Sequence, residues 1–160
     1  MIKSLSELKR EGLRSFKLLI LGRDRQAPYL RLSRRLGVSD EVAFVGSTDE
    51  PERYYGAADL LVHPTFYDPC SLTVLEALAS GLPVVTTALN GAHGVVIHGE
   101  NGWVLEKAND VREIKKAILY FSGRDIRNRL SDLKEWRREV YSEKVNFDQV
   151  MKVLREVAPG

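Results

Sequence analysis

The chain has 160 residues, 44% of them hydrophobic, with a formal net charge of +2 and one cysteine. That length suits one compact domain burying roughly two-thirds of its unfolded surface, and so mild a charge excludes a typical nucleic-acid binder, whose Lys and Arg gather on one face. Cys70 alone excludes an internal disulfide or a multi-cysteine metal site and fits a reducing cytosol. No apolar run approaches ~18 residues, and Met1-Ile2-Lys3-Ser4-Leu5 opens no signal-peptide pattern. The sequence reads as soluble and cytoplasmic, with peripheral contact at the inner face of the cytoplasmic membrane left open.

Short apolar, β-branched runs alternate with longer amphipathic stretches, the pattern of a parallel sheet with helices on its faces. Strands are expected near 16–22, 42–45, 60–63, 83–86 and 102–105, and helices over about 25–37, 51–57 and 71–80. Ser47-Thr48-Asp49-Glu50-Pro51-Glu52 makes a good helix opening, with a capping residue, early acids and a proline in the first turn. Gly37 and Gly81 stand where helices should stop. The expected architecture is α/β: a Rossmann-like doubly wound parallel sheet with helices on both faces and a ligand crevice at the C-terminal strand ends. Past Asp110, the residues Val111, Ile114, Ala117, Ile118 and Phe121 recur at helical spacing and should pack one side of a helix on the sheet. Segment 124–138 interleaves Arg124, Arg127, Arg129 and Lys134 with Asp125, Asp132 and Glu135 and reads as a solvated helix, docking on anionic lipid or a partner domain being the functional alternative. The sheet domain would span about 1–121 and a C-terminal helical extension about 122–158.

The chemistry concentrates around Asp68 and Glu76. Ser71 is a fair N-cap before the apolar run Leu72, Leu75, Ala79, so unpaired helix amides should face the preceding loop and suit a diphosphate. Asp68 would lie outside the helix mouth and Glu76 about a turn and a half inside, one carboxylate accepting from sugar hydroxyls and the other from ribose hydroxyls. The plainer alternatives are a polar stripe of Thr73, Glu76 and Ser80, and a turn aspartate at Asp68 that satisfies nearby amides. Gly22 and Gly46 end the first two strands, where a tight turn is needed in any case. Arg23 and Arg25 would reach phosphate oxygens or solvent. The turn Asn90-Gly91-Ala92-His93-Gly94 should return over the crevice, with His93 toward donor phosphate, acceptor or solvent. His63, closing an apolar run, reads as a satisfied buried residue, and three scattered histidines make no metal site.

The stretch from Asp68 to Glu76, continued by Ala77-Leu78-Ala79-Ser80-Gly81-Leu82-Pro83-Val84-Val85-Thr86-Thr87, resembles the donor-site motif of retaining GT-B glycosyltransferases of the GT4 type. Leu18-Leu19-Ile20-Leu21-Gly22, Val42-Ala43-Phe44-Val45-Gly46, residues 54–64 and Gly99-Glu100-Asn101-Gly102-Trp103-Val104-Leu105 extend the likeness over about 16–121. The resemblance implies that Asp68 binds the donor sugar and Glu76 the ribose. It also implies that the amides of Ser71, Leu72 and Thr73 hold the diphosphate, with Cys70 lining the pocket, and that Phe44-Val45-Gly46-Ser47 lies against the base. The donor would be a UDP, GDP or ADP sugar, the acceptor a glycan or a lipid-linked glycan, and transfer would be anomer-retaining and metal-independent.

Three positions depart from the family: Asp68 stands where a Glu is usual, Ser71 where Gly is frequent and Gly94 where an acid is common. The resemblance covers the second of two GT-B domains, so an N-terminal acceptor domain is expected in cis or in trans. The strand that carries a basic pair for the diphosphate would precede the helix at 4–11. The chain by itself is therefore expected to bind donor weakly and to transfer little or nothing. The Ala92-His93 loop and the Asp-Pro-Cys-Ser turn are also similar to those of lipopolysaccharide-core transferases. The competing readings are a non-catalytic nucleotide-sugar-binding subunit, a nucleotide-sugar epimerase and a nicotinamide dehydrogenase. The dehydrogenase is disfavoured because Gly22-Arg23-Asp24-Arg25-Gln26 lacks a spaced glycine triplet.

Overall fold

In the computed structural model, residues 1–23 and 25–122 are described, together with Lys144, Phe147, Asp148, Met151, Lys152, Arg155 and Glu156, each of which is helical. Segment 124–138, expected as a solvated helix, lies outside the described residues. The elements follow the order α1 (Ile2–Arg10), β1 (Leu18–Leu21), α2 (Ala27–Arg35), β2 (Val42–Gly46), α3 (Pro51–Ala57), β3 (Leu61–Val62), α4 (Leu72–Ala79), β4 (Val84–Thr87), a 3-10 turn (Gly91–Val95), β5 (Gly102–Leu105) and α5 (Val111–Ser122).

Every strand pair is parallel, as an α/β alternation requires. Backbone pairing falls into two groups, β1–β2 and β3–β4–β5. The single doubly wound sheet expected from sequence is thus joined at its middle by side chains: Leu18 of β1, Leu60, and Val62 of β3 pack on one apolar cluster. Central β4 is buried along its whole length and divides the core. Val84 packs with Val74, Ala77 and Leu78 of α4, whereas Val85 packs with Leu5 and Leu8 of α1 and Ile114, Ala117, Ile118 and Phe121 of α5. Helices therefore cover both faces, each buried aliphatic side chain contributing about 1.5–3 kcal/mol.

The stops at Gly37 and Gly81 are as expected, with φ of +70° and +77° just past α2 and α4. Two local features differ. The N-cap of α3 is Glu50, whose side chain makes no capping bond, while Thr48 Oγ1 accepts the Glu50 amide at 3.0 Å in the preceding turn. Helix α4 has the expected limits but buries another face: Val74, Ala77 and Leu78 are inside, whereas Leu72 and Ala79 are exposed. The sequence Leu-Thr-Val-Leu-Glu-Ala-Leu-Ala is apolar almost all round, so its periodicity selects no face and contact with β4 does.

Candidate functional site

Strand β3 ends at Val62, and the chain leaves the sheet toward the mouth of α4. Along that path the backbone of Asp68 is gripped on both sides, its amide donating to Leu89 O at 3.2 Å and its carbonyl accepting from the Gly91 amide at 2.8 Å. Its Oδ1 accepts the Cys70 amide at 3.1 Å, which is the turn role anticipated for an aspartate here. Its Oδ2 lies 3.7 Å from His63 Nε2, and the Asp68 side chain is 27% exposed. His63 is therefore not the buried residue expected. Its side chain is 37% exposed and faces Asp68, because β3 is only two residues long and residue 63 already belongs to the rim.

A second difference concerns the start of α4. Ser71 occupies the N-cap position, but its side chain makes no capping bond. Its amide donates to Asn90 Oδ1 at 3.3 Å, so Ser71 presents no free N–H to a ligand and the helix mouth offers the amides of Leu72 and Thr73. Asn90 is fully buried. Its Oδ1 also accepts the Ala92 amide at 3.0 Å, and its Nδ2 donates to Thr86 Oγ1, whose hydroxyl in turn donates to His63 O at 3.1 Å. One side chain thus ties α4, the 3-10 turn and the ends of β3 and β4 together. Gly91 seals the junction, since a methyl group there would collide with the Pro69 carbonyl oxygen. His93 is exposed, and its Nδ1 sits 2.7 Å from Asn90 O.

Glu76 is exposed on α4, and its Oε2 accepts from the Tyr55 hydroxyl of α3 at 3.0 Å. Burial first, then the hydrogen bond and charge of Glu76, push the Tyr55 phenol up to about 12, with a side-chain hydrogen bond from Thr73 acting the other way. At the ends of β1 and β2 the Gly22 amide donates to Gly46 O at 2.8 Å, with φ of +137° and +86° at the two glycines. Arg23, Val45 and Ser47 are exposed beside them, and Cys70 is exposed beside Asp68. Sequence reasoning missed Tyr55 and the hub role of Asn90. The first carried no local signal, and the second showed only as a turn residue.

Residues 1–123 match the family model for glycosyl transferases group 1. The chain belongs to that family. Lipopolysaccharide glucosyltransferase WaaG of Escherichia coli K12 is 30% identical over 123 residues, covering 73% of this chain and 32% of WaaG. The chain thus spans about a third of that relative's length. The crystal structure of WaaG superposes with a TM-score of 0.74 at 23% identity, covering 99% of this chain and 42% of that one. Anabaena Alr3699/HepE in complex with UDP superposes at 0.73 with 19% identity, covering 98% and 44%. These likenesses establish the fold of this group 1 chain as part of a GT-B architecture.

Proposed function

We propose that this chain is the donor-binding part of a glycosyltransferase that moves a sugar, with anomeric retention, from a nucleotide diphosphate sugar to a glycan or lipid-linked acceptor. The observation that carries the reading is the placement of Asp68 before the mouth of α4 and Glu76 within it, on either side of the Leu72 and Thr73 amides. The two amides and the positive end of the helix dipole would hold the diphosphate and stabilise the charge it gains on leaving. Asp68 would accept from hydroxyls of the sugar, and Glu76 from the ribose. Cys70 and His93 would line the sugar end. Val45, Gly46 and Ser47 would meet the base, and Gly22 and Arg23 would close on the phosphates. No metal takes part in this scheme, because amides and Arg23 carry the countercharge. An acceptor domain, in cis or in trans, would form the other wall of the cleft on the cytoplasmic side.

The UDP bound to HepE, which shares the fold, makes UDP the first probe. A calorimetric panel of UDP, GDP, ADP and their glucose conjugates should find one nucleotide that binds. Glu76→Ala should weaken it by about 10-fold or more, the loss of hydrogen bonds to a charged group. Asp68→Ala should weaken the sugar conjugate but leave the bare diphosphate within about twofold, and chelator should change neither. Stabilisation by NAD alone, with no response to any nucleoside diphosphate, would sink the assignment.

A further inference from the structure

Only one oxygen of Glu76 has a protein partner among the described residues. Oε2 accepts from Tyr55, whereas Oε1 has no hydrogen bond or ion pair there. The phenol is itself held in place. Tyr55 lies in α3 and packs on the cluster formed by Val74, Ala77 and Leu78, and its hydroxyl also meets the Thr73 side chain one turn earlier on α4. A glutamate exposed on a helix surface otherwise samples several rotamers, and freezing it when a ligand arrives weakens binding. A ribose presents two neighbouring hydroxyls, and a carboxylate already fixed in one plane can accept from both.

We propose that Tyr55 is a positioning residue for the ligand: its hydroxyl fixes the Glu76 carboxylate so that the site takes ribonucleoside diphosphates and rejects their deoxy counterparts. The inference rests on the donor-site reading above. With its proton held up to about 12, the phenol is a donor throughout the physiological range.

The test is titration calorimetry on the 160-residue chain with UDP and 2′,3′-dideoxy-UDP, repeated with the ADP or GDP pair if one of those is the tighter ligand. The wild-type chain should prefer the ribo form by about tenfold or more, and Tyr55→Phe should cut that preference about fivefold while leaving the dideoxy affinity within about twofold. Glu76→Ala should abolish the preference, and adding Tyr55→Phe to it should change nothing further in the ribo-to-dideoxy ratio, since the two act as one unit. A tyrosine that merely packs two helices would lower the melting temperature and leave the ribo-to-dideoxy ratio untouched, and that result overturns the inference. So does a wild-type chain that binds both forms equally. Failure of the wild-type chain to bind any of the three nucleoside diphosphates overturns the donor-site reading itself.

Discussion

Asn90 shows how much a single buried amide can organise. It satisfies Ser71 N–H and Ala92 N–H with one oxygen and reaches Thr86 with its nitrogen, all without exposure to water. Asn90→Ala should therefore destabilise the chain by about 2–3 kcal/mol in urea unfolding, because it strands polar groups that no solvent reaches. Tyr55 makes a different kind of statement. Burial first, and then Glu76, raises its folded-state pKa from 10.0 to about 12, so the contribution of the half-buried neutral phenol is complete below pH 10 and is lost as pH climbs through about 12. In an alkaline titration followed by phenolate absorbance, one tyrosine of the wild-type chain should lag behind, and Tyr55→Phe should remove that late step. Neither role was legible in the sequence. Asn90 meets Ser71 across 19 positions and Tyr55 meets Glu76 across 21, separations that a local pattern does not encode. What the sequence did carry was the position of α4, with Asp68 before it and Glu76 inside it, because these lie within one short segment.

Elements were more legible than contacts. Of the periodic positions of α5, Ile114, Ala117, Ile118 and Phe121 are buried and Val111 is half-buried, and the glycines after α2 and α4 stop those helices, since periodicity and left-handed backbone geometry are local properties. Periodicity failed at α4, where apolar residues on every side left the buried face to be chosen by β4. His63 failed similarly: an apolar run ending in histidine reads as interior, and only the shortness of β3 puts it on the rim beside Asp68. The segment carrying Asp68 and the 3-10 turn behave as one unit, joined by the Asp68–Asn90 bridge and the close approach at Gly91. Gly91→Ala must push that unit apart. The expected outcome is a loss of about 1–3 kcal/mol in stability, by analogy with overpacked cores, together with weaker donor binding. A Gly91→Ala chain with wild-type melting and wild-type affinity would show that the two loops move independently.

The architecture as a whole sets what the chain does alone. One face of the core is built from α4 and β4 and carries Glu76, while the opposite face, built from α1, α5 and Val85, supports the sheet from behind. Lys115 of α5 pairs with Glu7 of α1 at 3.0 Å, and also with Glu11, so the supporting helices are clamped to each other at their surface as well as in the core. Such surface pairs contribute little, and Leu8, with 1% exposure, carries more of the support. Leu8→Ala should cost about 2–5 kcal/mol and lower the melting temperature without changing donor affinity in the molecules that remain folded. Catalysis makes a further demand, because sugar transfer needs an acceptor hydroxyl held within reach of the anomeric carbon, and orientation of that kind accounts for a large part of an enzyme's rate. On the proposed reading the described residues would supply groups for the donor alone, and the matching region is about a third of the length of WaaG. The 160-residue chain incubated with its best nucleotide sugar and a glycan acceptor should accordingly bind donor yet transfer at least about a thousandfold more slowly than a two-domain relative. Turnover at the rate of such a relative would mean that the acceptor is oriented by this chain itself, and the division of labour between two domains would have to be abandoned.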